Sequence, residues 1–256
     1  MDSDARAAAL REPDSILDDF LLSNVAYPGV VIRSRYTEDA LRKATNRGVR
    51  QYVLLGAGFD SFALRRPSFS EALEIFEIDH PATQAFKIQR IMDCGISLPP
   101  SVHFVSADLA DEYLAAVLAR SSFRRDAPAF FSWLGVTVYL TREANLATLR
   151  AVANVGAPGS ELVFTYVDQN EFVSGGSRSL GDANAQAVAM MGEPYVSGFN
   201  PKEIANDLAD VGLELVEDLD AQKMSERYRR IGTNALRPSD SLHIALARVH
   251  SNNNVI

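Results

Sequence analysis

Between residues 51 and 166 the chain alternates short apolar runs with amphipathic stretches, and no other feature restricts its fold as much. Apolar runs at 51–55, 73–78, 102–106, 128–133 and 160–166 read as strands, and helical spacing fills the intervals at 60–66, 81–93, 111–120 and 142–154. Tyr52-Val53-Leu54-Leu55 is apolar without alternation, as in strands buried on both faces. Strands that take turns with helices build βαβ units and a parallel sheet, and right-handed crossovers leave few topologies. Pro81 suits the first turn of its helix, where a missing N–H loses no partner. Two later runs, Leu213–Val216 and Leu242–Val249, add an antiparallel edge, which makes seven strands.

Ahead of this core, Ser15–Val25 and Glu38–Asn46 read as helices, with Tyr27-Pro28-Gly29 as a break and Gly48 as a stop. Residues 167–200 interrupt the rhythm with Gly175, Gly176, Gly181, Gly192, Pro194 and Gly198 around a candidate helix at Ala183–Met191. A connection this long reads as a lid or a surface loop. Pro201–Asp210 reads as a further helix. The fold class is therefore α/β, with an N-terminal helical cap (1–48), a cofactor-binding core (49–166), a lid insertion (167–200) and a C-terminal segment completing the sheet (201–256).

At 47% hydrophobic and 23% charged residues, the 256-residue chain has an ordinary globular composition. Its net charge of −8 argues against nucleic acid or an anionic membrane as the main partner. A single cysteine, Cys94, excludes an intrachain disulfide and a cysteine-based zinc cluster. His80, His103, His243 and His250 form no pair with metal-ligand spacing, so no metal is expected. The first 19 residues are charged and lack an apolar core, and no run approaches the roughly 20 apolar residues of a membrane span. A cytoplasmic protein is the expectation.

The chemistry gathers at strand ends. The first strand runs into Gly56-Ala57-Gly58-Phe59-Asp60-Ser61, where glycines allow a tight turn and a close backbone approach to a ligand. A dinucleotide fingerprint asks for a third glycine where Ser61 stands, and Asp60 would repel a pyrophosphate. A nicotinamide-dependent oxidoreductase is thereby disfavoured, and a cationic or zwitterionic ligand suits the acid better. Asp79 ends the second strand, 21 residues after Gly58, where a carboxylate accepts both ribose hydroxyls. It can equally cap the helix that begins near Pro81. Asp108 and Leu109 follow the third strand; the acid can accept from an adenine amino group or cap the next helix, and the leucine offers an apolar wall. The fourth strand delivers Trp133, Leu134 and, a little later, Tyr139. Acids at three strand ends with aromatics at a fourth suit adenosine bearing a positive substituent, and S-adenosylmethionine is such a molecule.

These residues resemble the leucine carboxyl methyltransferase family, in its bacterial branch of S-adenosylmethionine-dependent natural-product O-methyltransferases. The resemblance rests on Arg33-Ser34-Arg35, "LLGAGFDS" (54–61), "FEIDHPATQAFK" (76–87), "ADL" (107–109), "WLGVTVYLT" (133–141), "GSELVF" (159–164), Gly192-Glu193-Pro194 with Phe199, and Arg227-Tyr228, and it covers roughly 14–249. It implies a Rossmann-like class I methyltransferase fold with a helical cap and a lid, and S-adenosyl-L-methionine as cofactor. It also implies that Arg33 or Arg35 grips the methionine carboxylate, that Gly56 and Gly58 lie against the methionine part, that Asp79 holds the ribose, and that Asp108 and Leu109 hold adenine; Ala57, Asp60 and His80 are expected beside them in the cofactor site. Trp133 and Leu134 fall near sulfur and acceptor, although many relatives carry a glutamate where Leu134 stands.

The expected function is O-methylation of a carboxylate, or a hydroxyl, of a small molecule such as a polyketide. A peptide C-terminal carboxylate and a non-catalytic S-adenosylmethionine sensor are the alternatives. Of His80, Tyr139, Tyr166 and Asp168, none has a spacing that declares a general base, so positioning is expected to carry catalysis, with Tyr139 placing the acceptor. Phe172, Arg178, Met190, Met191 and Tyr195 are expected to line the acceptor pocket from the lid; failing that, the pocket lies under the cap beside Tyr27 and Tyr36. Sequence leaves open whether the protein is a monomer or a homodimer.

Overall fold

A computed structural model of the chain describes residues 26–109, 111–172, 195–228 and 237–250, apart from the side chains of 171 and 172. Seven strands form one sheet: β1 (Gln51–Leu55), β2 (Glu74–Asp79), β3 (Val102–Ser106), β4 (Ala129–Trp133), β5 (Glu161–Val167), β6 (Leu213–Leu219) and β7 (Leu242–Val249). Their order is β3-β2-β1-β4-β5-β7-β6. The first five are parallel, and β7 runs antiparallel to both β5 and β6. The order turns back between β1 and β4, and in open α/β sheets the crevice beyond the strands' carboxyl ends at such a point is where ligands bind.

Around the sheet lie α1 (Tyr27–Asn46), α2 (Phe62–Arg65), α3 (Pro81–Asp93), α4 (Leu114–Leu118), α5 (Arg142–Val155), α6 (Ile204–Ala209) and α7 (Ala221–Tyr228). On one face Val53, Leu55, Phe76, Phe131 and Phe164 pack with Leu149, Val152 and Leu208 of α5 and α6. On the other, Tyr52, Leu54, Ile75 and Phe130 meet Ile32, Tyr36 and Leu41 of α1 and Met224 of α7. All five residues of β1 and of β4 are buried, which explains why both are apolar except for Gln51 and Ser132. Truncating a ring such as Phe131 to alanine would cost about 3–5 kcal/mol. Among the described residues, no helix is long and apolar enough to cross a membrane.

The helix starts differ from expectation in one place that matters. Tyr27-Pro28-Gly29 opens α1, which runs unbroken to Asn46 instead of starting only at Glu38. Proline in a first turn loses no hydrogen bond. Gly29 lets the helix approach β7, since a Cβ there would lie 2.8 Å from Leu242 Cδ2. Arg33 and Arg35 therefore lie on a helix, two residues apart and on different faces. The segment Ser15–Val25 lies outside the described residues. Other boundaries shorten: α2 covers four residues because Asp60 holds its start and Arg66, at φ 38°, ends it, and α4 and α6 are one-turn fragments of the expected 111–120 and 201–210. Strand β6 is longer than expected and bulges between Leu215 and Glu217.

Candidate functional site

The turn after β1 is built from left-handed glycines, Gly56 at φ 63° and Gly58 at φ 48°. A Cβ on Gly56 would come within 2.8 Å of Val136 Cγ2, so close packing against the segment after β4 fixes that position. A Cβ on Gly58 would meet nothing within 4 Å, so the turn is open on the outside. The Gly58 N–H donates to Asp79 Oδ2. The His80 N–H donates to Asp79 Oδ1 at 2.7 Å, and Ala57 N–H to the Ile78 carbonyl at 3.1 Å. The end of β2 and the glycine turn are thus tied together around one carboxylate, two of whose roughly four acceptor sites remain.

His80 caps α3, its Nδ1 accepting from Ala82 N–H at 3.3 Å, and its Nε2 faces Asp108 Oδ2 at 3.9 Å. Asp79, His80 and Asp108 therefore stand side by side at the ends of β2 and β3. Asp60, one residue before the N-cap Ser61, holds the start of α2, its Oδ1 accepting from Phe62 N–H at 2.7 Å. Beneath the turn lies a buried ion pair: Lys87 Nζ meets Glu77 Oε2 at 2.5 Å and donates to the Asp60 carbonyl at 2.8 Å. Burial pushes the Glu77 carboxyl above the usual carboxylate range, against the pull of Lys87.

Beyond the turn, a cavity of about 250 Å³ opens between the first turns of α1 and the ends of β4, β5 and the start of β7. Its walls include Val30, Arg33, Val138, Tyr139, Tyr195 and Ser241. Arg33 lies against Gly135, where a Cβ would fall 2.5 Å from a guanidinium nitrogen, so glycine at φ 71° makes room for the cation. Burial lowers the Arg33 pKa, while Tyr139, Tyr195 and Asp60 oppose the shift. Arg35 points elsewhere, exposed and paired with Asp39 at 3.2 Å. Tyr139 and Tyr195 meet edge to face with centroids 5.8 Å apart. The returning chain is stitched to the segment after β4 by Val196 N–H to the Val138 carbonyl (2.6 Å) and Ser197 hydroxyl to the Leu140 carbonyl (2.6 Å).

Of the remaining base candidates, Tyr166 is engaged by an acid and Asp168 accepts locally through one oxygen. The Tyr166 hydroxyl donates to Asp218 Oδ2 at 3.0 Å, and burial with that acid pushes its phenol far up. Asp168 Oδ1 accepts from the backbone and side chain of Asn170. Among the described residues, no group of three or more His, Cys, Asp or Glu side chains is placed to hold a metal.

The structure brings together Gly56, Ala57, Gly58, Asp60, Asp79, His80 and Asp108 at the ends of β1–β3, and Arg33, Tyr139 and Tyr195 in the neighbouring cavity. Leu109 packs partly buried against the core beside Asp108, and Leu134 leans on the α1 side of the sheet. Trp133 needs correcting: its indole is 2% exposed and belongs to the core under α5, so its position offers a ligand only backbone. Both faces of β4 are covered, so a side chain is buried on either side of it. Arg178, Met190 and Met191, and the side chain of Phe172, lie outside the described residues. Sequence reasoning missed Lys87 and Glu77, although both lie in the quoted "FEIDHPATQAFK", and it missed Gly135, Ser239 and Ser241.

A glycine turn after β1, an acid ending β2 and an antiparallel β7 between β5 and β6 define the class: a Rossmann-like methyltransferase of class I fold. The chain belongs to the leucine carboxyl methyltransferase family, whose pattern matches residues 3–153. It is 34% identical over 201 residues to YktD of Bacillus subtilis (strain 168), a candidate S-adenosyl-L-methionine-dependent methyltransferase, covering 78% of this chain and 66% of that one. The chain spans about half to two thirds of the length of the curated relatives it matches. Among solved structures, it is similar to a candidate methyltransferase from Thermobifida fusca, with a TM-score of 0.64, 18% identity and coverage of 94% and 89% of the two chains. It also resembles the O-methyltransferase NcsB1 from neocarzinostatin biosynthesis, solved with S-adenosyl-L-homocysteine and 1,4-dihydroxy-2-naphthoic acid, with a TM-score of 0.50, 14% identity and coverage of 78% and 49%.

Proposed function

We propose that this chain is an S-adenosylmethionine-dependent O-methyltransferase that esterifies a carboxylate of a small molecule. The carrying observation is the Asp79 carboxylate, pinned by the Gly58 and His80 N–H groups beside a turn that is open above Gly58. Its free acceptor sites suit a ribose diol, and Asp108 beside it suits adenine. Arg33, in the cavity next to Gly135, suits the methionine carboxylate. When bound, S-adenosylmethionine supplies an electrophilic methyl group on a sulfonium.

The acceptor belongs in the cavity that Arg33 shares. No Asp or Glu lines its described walls, so those walls add no negative charge of their own against an acid. Arg33 has five N–H donors, more than one carboxylate uses. Val30 and Val138 with Tyr139, Tyr195 and Ser241 offer apolar, aromatic and hydroxyl walls, which fit a compact acid of polyketide or aromatic type. Tyr139 positions that acid for attack. A carboxylate, with a reference pKa near 4, is already a nucleophile at neutral pH and needs no general base, which suits a site where the Tyr166 phenol is engaged by Asp218. The cavity's small volume favours such a molecule over a peptide terminus. The acidic composition and lone cysteine fit work in a reducing cytoplasm without nucleic acid.

Incubation with methyl-labelled S-adenosylmethionine and a panel of carboxylic acids, matching phenols and short peptides tests this reading. Label in an alkali-labile ester of a small acid is the expected result. Label only on phenols moves the reading to hydroxyl methylation, and tight cofactor binding without any transfer favours a sensor.

A further inference from the structure

We propose that Lys87 is a positioning residue for the cofactor turn, holding it from beneath through the carbonyl of Asp60. The inference rests on the reading that S-adenosylmethionine sits over Gly58 and Asp79. Lys87 projects from α3 into the interior, and both its side chain and that of Glu77 are at most 5% exposed. A buried ammonium needs several acceptors, and two are present: Glu77 Oε2 at 2.5 Å and the Asp60 carbonyl at 2.8 Å. Gln84, one turn earlier on α3, donates to the Glu77 carbonyl at 3.0 Å, so α3, β2 and the turn meet at one point.

The Asp60 backbone is thereby held at both its N–H and its carbonyl, and one side-chain oxygen is engaged as well. Its N–H donates to the Ala57 carbonyl at 2.8 Å, its Oδ1 holds the start of α2 and its carbonyl accepts from Lys87. The segment between, Gly58 and Phe59, is what presents an N–H to Asp79 and open space above the turn. Glu77 lies two residues before Asp79 on the same face of β2, so the ammonium links the acid that holds the turn to the strand that carries the ribose acceptor. A plain structural ion pair would fill the interior but would not need the turn's carbonyl.

A simple Lys87→Met change would leave Glu77 buried without a partner and confuse folding with positioning. The test therefore removes both charges together, as Glu77→Leu with Lys87→Met, since a buried pair replaced by apolar groups of similar size often keeps stability. S-adenosylhomocysteine is titrated calorimetrically into the wild type, this double variant and Asp79→Ala, with thermal unfolding measured on each without ligand. The expected result is a double variant that unfolds near the wild-type temperature and binds roughly tenfold more weakly, as for one lost hydrogen bond. Wild-type affinity in the folded double variant, with binding lost in Asp79→Ala, overturns the role of Lys87 alone. Wild-type affinity in Asp79→Ala overturns the underlying reading instead. If the double variant does not fold, Glu77→Gln decides: it keeps a Lys87 donor at Asp60, so retained affinity despite lower stability supports the inference, and affinity lost in step with stability contradicts it.

Discussion

The backbone N–H of Gly58 donates to the carboxylate of Asp79, 21 residues further along the chain. One oxygen of that carboxylate serves the turn and the other serves His80 at 2.7 Å, so the acid is fixed before any ligand arrives. Preorganised acceptors of this kind lose little on binding. Asp79→Asn turns one acceptor into a donor facing these N–H groups. It is expected to weaken S-adenosylhomocysteine binding by about 2–3 kcal/mol, the scale of charge-assisted hydrogen bonds, with an unchanged circular dichroism spectrum. An unaltered calorimetric affinity would remove Asp79 from the ligand site.

The two turn glycines have different neighbours and should fail differently. Gly58→Ala meets no atom within 4 Å, so it is expected to fold, at a strain of about 1–2 kcal/mol for its left-handed backbone, and to lose cofactor binding. Gly56→Ala drives a methyl to 2.8 Å from Val136 Cγ2 and should lose more stability, part of which Val136→Ala returns. Urea unfolding of Gly58→Ala, Gly56→Ala and the Gly56→Ala/Val136→Ala double variant measures this; equal losses for Gly56→Ala and Gly58→Ala would contradict the geometry.

Arg33 and Arg35 separate in the same way. Arg35 makes an exposed pair with Asp39, so Arg35→Ala should change stability by no more than about 1 kcal/mol and leave ligand affinity alone. Arg33→Met keeps the bulk beside Gly135 and removes the cation, and it should abolish measurable binding of S-adenosylmethionine. A direct binding assay in which Arg35→Ala is the damaging change would reverse the assignment.

Acid should loosen the helix that carries Arg33. Tyr36, on the next turn of α1, donates to Glu217 Oε2 at 2.7 Å, and Arg227 grips the same carboxylate at 2.8 and 2.6 Å. Arg227 above all, with Tyr36, holds the Glu217 carboxyl down at about 2 from an ordinary 4.5. A carboxyl depressed on folding stabilises the fold above its unfolded value and loses that contribution as pH falls toward its folded value. The urea midpoint of wild type should therefore exceed that of Glu217→Gln at pH 6, and the gap should close between about pH 4.5 and 2. A gap independent of pH would show that the carboxylate charge contributes nothing.

The sheet was legible because its buried strands must be apolar on both faces, and β1, β2 and β4 lie within a residue of the runs that announce them. Strand-end acids were legible because topology alone carries them to one edge. Pairing across the chain was not. That Arg33 rather than Arg35 enters the cavity depends on the phase of α1, and the helical pattern in the sequence is clear only from Glu38, beyond both arginines. The Lys87–Glu77 pair was hidden because a lysine and a glutamate ten residues apart look solvated until packing buries both. Trp133 misled because an aromatic at a strand end suits a pocket and a core equally, and both faces of β4 are covered, so only the packing places its indole in the core.

The central claim is a placement: S-adenosylmethionine over Gly58 and Asp79, with Arg33 at the boundary between cofactor and acceptor. A crystal structure of the protein grown with S-adenosylhomocysteine measures that directly. The account predicts ribose hydroxyls on the Asp79 carboxylate, the homocysteine carboxylate on Arg33, and the cavity beside Tyr139 and Tyr195 left for an acid. Density for the ligand away from Gly58 and Asp79, or a ribose held by other residues, would contradict it.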